Sequence, residues 1–119
     1  MFSVQMNGEQ LMAKAKAYVD KNYGKQISLD EVASDLKVST FYLSHIFSTE
    51  SDFSLFSYLT NLRMQKARKL LIKGELNVSE VAYAVGYNDG NYFSKIFKKH
   101  FGYPPTDLYN FAWPSLVEQ

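Results

Sequence analysis

Apolar residues recur along most of this chain at the three- and four-residue spacing of an amphipathic helix. No stretch sustains the two-residue alternation of a half-buried strand. Leu11, Ala15, Tyr18 and Val19 line one face of a predicted first helix from about Glu9 to Asn22, with Gly24 as its stop. Ser28-Leu-Asp-Glu31 is a capping box bracketed by Ile27 and Val32 as a hydrophobic staple, which predicts a second helix over 29–36. Ser39 caps a third helix that turns Leu43, Ile46 and Phe47 inward. A long fourth helix, 54–73, carries Leu55, Leu59, Leu62, Ala67, Leu70 and Leu71 toward the core and closes at Gly74. Asn77, with Glu80 three residues on and Leu76/Val81 as staple, opens a fifth helix. A sixth covers 89–100 and stops at Gly102. Pro104-Pro105-Thr106 starts a short seventh, where proline is tolerated in the first turn. All three prolines lie at 104, 105 and 114, so the first 103 residues lack the strongest helix breaker. The pattern predicts an all-α fold of about seven helices.

The chain repeats itself. Ile27-Ser-Leu-Asp-Glu-Val-Ala33 aligns with Leu76-Asn-Val-Ser-Glu-Val-Ala82 at an offset of 49, and Tyr42-Leu-Ser-His-Ile-Phe47 with Tyr92-Phe-Ser-Lys-Ile-Phe97 at an offset of 50. The extra residue falls in the turn. Each unit therefore reads cap, short helix, turn, second helix. Ala33 and Ala82 sit where two helices must approach closely, and Gly86 sits where a left-handed turn comes free only to glycine. Lys37 aligns with Gly86 and is expected at positive φ as well. This is the layout of a helix-turn-helix, whose second helix enters the DNA major groove. A pair of αα-hairpins that only build a core is the competing reading.

Composition narrows the choice of chemistry. The chain has 119 residues, 46% hydrophobic and 21% charged, which is one ordinary globular domain on the usual prior. It has no cysteine, which excludes disulfides and thiolate-held metals, and His45 and His100 lack paired ligand spacing. No cofactor and no metal are expected. No apolar run approaches the roughly 20 residues that span a bilayer, and the first residues form no secretory signal. A reduced cytoplasmic setting without membrane contact is the expectation. No phosphate-binding loop, dinucleotide fingerprint, zincin motif or nucleophile elbow is present, so no enzyme is expected. Net charge is only +1, yet residues 61–100 hold eight Lys/Arg against three Asp/Glu. Charge alone leaves a solvated face and a nucleic-acid face equally open.

The sequence resembles the AraC/XylS-type bacterial transcription regulators over about residues 9–109. Its most specific piece is Val78-Ser-Glu-Val-Ala82 followed by Gly86-Tyr87-Asn-Asp-Gly-Asn-Tyr92-Phe93-Ser94-Lys95-Ile96-Phe97-Lys98-Lys99-His-Phe101-Gly102. Arg63-Met-Gln-Lys-Ala67-Arg-Lys-Leu70-Leu71 also fits, and the stretch from Tyr18 to Arg63 looks most similar to response-regulator output domains. The resemblance implies two helix-turn-helix units that place recognition helices in neighbouring major-groove segments of double-stranded DNA. Two departures stand out. Pro105-Thr-Asp leads into Leu108-Tyr109 where the family carries Tyr-Arg, and Ser48-Thr-Glu-Ser-Asp52 replaces the lysines and glycine usual after the first recognition helix.

The division expected from these signals is a lead (1–8), a first helix-turn-helix subdomain (9–53), a linker helix (54–73), a second subdomain (74–111) and a tail (112–119). On helix 6, Phe93, Ile96 and Phe97 face the core, whereas Asn91, Lys95 and Lys98 share the opposite face. Asn91 can pair bidentately with adenine and Lys95 can donate to guanine. Lys98 and Lys99 are expected on phosphates. Gly90 matches a readout position of the family but has no side chain. On helix 3, Thr40 and Phe41 can touch thymine methyls, and Ser44 and His45 can bond base edges. For His45, and for Arg63, Lys66, Arg68, Lys69 and Lys73 on the linker helix, a solvated surface role stays open. The function expected is sequence-specific DNA binding that regulates transcription, and the alternative is a helical protein–protein interaction module. RNA polymerase and a second copy, joined through a sensor or receiver domain of a longer chain, are the further expected partners. Starting directly at helix 1 suggests the output end of a longer regulator.

Overall fold

The computed structural model describes residues 7–50 and 54–108, and within them the regular structure is entirely helical. Six helices follow in order: α1 (Gly8–Asn22), α2 (Leu29–Leu36), α3 (Thr40–Glu50), α4 (Leu55–Lys73), α5 (Val78–Ala84) and α6 (Gly90–Phe101). A further helical turn covers 105–108, where the proline-opened seventh helix is expected. The lead through residue 6 and the tail 112–119 lie outside the described residues.

The starts are set by caps. Ser28 Oγ accepts from the Glu31 amide at 3.1 Å while Glu31 Oε1 accepts from the Ser28 amide at 2.9 Å. The predicted box at Asn77 closes in the same way with Glu80, at 2.8 and 2.9 Å. The first helix begins one residue earlier than its apolar stripe indicates. Asn7 and Gln10 form a third capping box there, with bonds of 2.8 and 3.1 Å, which satisfies amides the helix itself cannot.

Packing divides the chain into two compact units, Met1–Thr60 and Asn61–Gln119, and the division falls within α4. In the first unit α1, α2 and α3 pack on one another around Leu11, Ala15, Val19, Val32, Ala33, Leu43 and Phe47. In the second, α5 packs on α6 around Val81, Ala82, Val85, Phe93 and Phe97, with Met64, Ala67 and Leu71 buried from α4.

The inward set predicted on α4 needs correction. Leu55, Leu59, Ala67 and Leu71 are buried as expected, but Leu62 and Leu70 are only half-buried, while Met64 and Arg63 are buried. The buried row runs Leu55, Leu59, Arg63, Ala67, Leu71. Residues four apart form a ridge inclined to the helix axis, so the contact face winds and carries Arg63 into it. Tyr18 and Ile96, also placed in the core by spacing, are half-buried.

Candidate nucleic-acid interface

The two helix-turn-helix units share their hydrogen bonds as well as their sequence. The Val38 amide donates to the Ala33 carbonyl at 3.0 Å and the Lys37 amide to Ser34 at 3.1 Å. The Tyr87 amide donates to Ala82 at 2.9 Å and the Gly86 amide to Tyr83 at 3.1 Å. Both pairs have the six-to-one and five-to-two pattern that ends a helix through a left-handed residue. Lys37 has φ 61° and Gly86 φ 105°, as the alignment predicts. After the turn, Ser39 Oγ accepts from the Tyr42 amide at 3.0 Å, and Asp89 Oδ1 accepts from Asn91 and Tyr92 at 2.8 and 3.2 Å. Turn and cap together aim the second helix of each unit.

In the second unit, α6 is divided lengthwise. Phe93 and Phe97 are fully buried, and an aromatic run fixes the helix from within: Tyr87–Phe93 at 5.6 Å, Phe93–Phe97 at 5.8 Å and Phe97–Phe101 at 4.7 Å. Outside, Asn91, Lys95, Lys98 and Lys99 are all exposed. No ion pair engages these three lysines among the described residues. Asn91, Lys95 and Lys98 occupy one stripe; Tyr92 and Lys99 flank it. Such a face presents donors of mixed reach to an anionic groove. Gly90 opens the helix with no side chain, and a Cβ there would meet only Ser79 Oγ, at an ordinary 3.8 Å.

In the first unit, α3 is nearly uncharged, with the sequence TFYLSHIFSTE. Leu43, Ile46 and Phe47 are buried; Phe41, Ser44 and His45 are exposed. Phe41 is 80% exposed and stacks on His45 with ring centres 6.0 Å apart and planes 11° from parallel. Thr40 is less open than its expected outward role requires. It is half-buried, and its hydroxyl donates to Asp30 Oδ1 at 2.6 Å. Ser48 and Thr49 turn their hydroxyls back onto the carbonyls of Ser44 and His45, at 3.0 and 3.1 Å.

Two cations of α4 are turned into their own unit. The Arg63 guanidinium, on a residue only 9% exposed, lies 5.1 Å from the Tyr87 ring centre, and that of Arg68 lies 5.4 Å from Phe101. The solvated role left open for Arg63 therefore gives way to a buried one. Sequence reasoning also passed over Tyr42 and Tyr92, both exposed on α3 and α6. Their signal is the identity at an offset of 50. No group of three or more metal-ligating side chains occurs among the described residues, and no described helix is long and apolar enough to cross a membrane.

Residues 32–110 match the helix-turn-helix domain family. The chain is 35% identical over 98 residues to an uncharacterised HTH-type transcriptional regulator of Pseudoalteromonas carrageenovora, covering 82% of this chain and 58% of that protein. It is 30% identical over 92 residues to the HTH-type transcriptional activator RhaS of Escherichia coli, covering 77% of this chain and 33% of RhaS. The chain thus spans less than two thirds of the length of either of these curated relatives. Its fold is similar to the C-terminal domain of AraT, a response regulator from Geobacillus stearothermophilus, with a TM-score of 0.80, 36% identity, and 85% and 84% of the two chains covered.

Proposed function

Because this chain belongs to the AraC-type helix-turn-helix family of DNA-binding domains, we propose that α3 and α6 are its recognition helices and that it regulates transcription by reading two blocks of one operator. The observation that supports this reading most is the divided face of α6. Phe93 and Phe97 anchor it, and Asn91, Lys95, Lys98 and Lys99 stand free on its other side. Asn91 offers the donor–acceptor pair that adenine matches, and Lys95 a cation for guanine N7 and O6. Lys98 and Lys99, near the end of the helix, neutralise phosphates. On α3, Phe41 packs on thymine methyls, assisted by the Thr40 methyl, while Ser44 and His45 bond base edges.

Affinity and selectivity then divide unequally between the units. α6 supplies both charge and readout; α3, with no lysine or arginine, supplies readout by shape and neutral hydrogen bonds. In a longer chain a sensor or receiver domain would pair two copies, and the bound regulator would contact RNA polymerase in the bacterial cytoplasm. Selection from random duplexes, followed by binding across a salt series, tests the core of this reading. Enrichment of two unlike blocks and a steep fall of affinity with salt are expected. No enriched sequence, together with salt-insensitive binding, overturns it in favour of a protein-interaction module.

A further inference from the structure

We propose, resting on the DNA-binding reading above, that Tyr42 and Tyr92 are a matched pair of neutral phosphate contacts, one in each unit, donating their phenolic hydroxyls to the DNA backbone at the edge of the recognition helix. Apart from Ser44/Ser94, of which Ser44 is exposed and Ser94 half-buried, the identical residues of the two units other than the tyrosines have an internal role. Val32/Val81 and Ala33/Ala82 are buried, as is Phe47/Phe97, and Glu31/Glu80 close the capping boxes. The shared tyrosines are different. Tyr42 is 41% exposed and Tyr92 54%, and no hydrogen bond to either hydroxyl is made among the described residues. Other tyrosines show the contrast. Tyr58 donates its hydroxyl to Asp20 at 2.7 Å, and Tyr87 is buried against Phe93. Tyr83 is more exposed still, but its counterpart in the first unit is Ser34.

Position supplies the ligand. Tyr42 and Tyr92 each stand third in their recognition helix, where Ser39 and Asp89 fix the backbone by accepting from their own amides. Three and seven residues on from Tyr92 lie Lys95 and Lys99, neighbours on the same helical edge. The phenol and the Lys99 ammonium suit neighbouring phosphates, with Lys95 left to the guanine edge proposed above. The equivalent stripe on α3 is Tyr42, His45 and Thr49, with no lysine or arginine, so there the phenol is the principal backbone donor. A tyrosine can reach a phosphate with two side-chain torsions to fix and no charge to desolvate, which suits a face that reads by shape.

The experiment compares the 119-residue chain with Tyr42→Phe, Tyr92→Phe and the double variant on a selected duplex and on a scrambled duplex, across a potassium chloride series. Each single variant should lose about three- to tenfold in affinity and the double variant about ten- to a hundredfold, equally on both duplexes. The slope of log affinity against log salt should stay as in the parent, because no charge is removed. Lys98→Ala, in parallel, should lower the slope by about 0.9. Thermal melting should be unchanged, since neither hydroxyl makes a hydrogen bond among the described residues. The inference is overturned by a double variant that binds like the parent, or by a loss confined to the selected duplex, which would make the tyrosines base readers. A parent that binds neither duplex overturns the DNA-binding reading itself, and the paired role with it.

Discussion

Exchanging the residues at the two turn positions, Lys37→Gly and Gly86→Lys, tests the repeat at its most exacting point. Lys37 has φ 61° and ψ 40°, the centre of the small left-handed region open to L-residues, and costs roughly 1–2 kcal/mol there because Cβ crowds the following carbonyl. Glycine removes that cost but brings greater unfolded-state freedom, which opposes it by about 0.4–1 kcal/mol. Lys37→Gly should therefore be neutral or stabilising by up to about 1.5 kcal/mol, a rise in Tm of several degrees for a domain of this size. Gly86 differs in two ways. Its φ of 105° lies beyond the left-handed basin, and the position is buried, so a lysine must strain the backbone and drive its stem out of the core. The cost should be at least about 2 kcal/mol, from strain of order 1–3 kcal/mol with the burial cost added. Melting followed by circular dichroism gives the global effect. Amide exchange at Val38 and Tyr87, which bond Ala33 and Ala82 across the turns, gives the local one. A Gly86→Lys protein that melts with the parent, and keeps Tyr87 protected, refutes the assignment of this turn as a strained glycine joint. So does a Lys37→Gly protein destabilised by more than about 1 kcal/mol, the most that unfolded-state entropy can account for.

Other outcomes follow from single groups. Lys95→Ala should cost about 1–3 kcal/mol and relax preference at one position, whereas Lys98→Ala should weaken all duplexes alike; selection with each variant separates the two, and a Lys95→Ala protein with both affinity and selectivity untouched removes α6 as the reader. Ser44→Ala should have the smaller effect, measured on the same duplexes. Asn77→Ala opens the capping box at α5 and should destabilise by about 1 kcal/mol, read from denaturant midpoints. Burial, with the hydrogen bond to Asp20 and that carboxylate's charge, pushes the Tyr58 phenol up from 10.0 to about 12. The raised value means the neutral form is favoured on folding, so this stabilisation is full below about pH 10 and is lost as pH rises toward 12. Phenolate absorbance of the parent should show a late-titrating component that Tyr58→Phe lacks; identical titrations refute the Asp20 tie.

Much of this architecture is local and was therefore legible along the chain. A capping box needs a side chain and an amide three residues away, so Ser28–Glu31 and Asn77–Glu80 could be read before any packing was known. The left-handed turn at Lys37 and Gly86 depends on four or five consecutive residues, and the repeat supplied its register. The exposed faces of α3 and α6 follow from the same logic, since an aromatic anchor at one angle leaves the opposite angle to solvent. What tertiary structure decided was where a helix meets more than one neighbour. The winding row on α4 buries Arg63 beside Tyr87 and releases Leu62 and Leu70, because ridge inclination depends on what packs against the helix rather than on its own periodicity. Thr40 was likewise placed outward by spacing, yet Asp30, ten residues away on α2, captures its hydroxyl. Tyr42 and Tyr92 appear in the sequence only as matched positions of the repeat, and their exposure in the folded units separates them from Tyr58 and Tyr87. Periodicity reports the angle at which a side chain leaves its helix; whether another element waits at that angle is a fact of the fold.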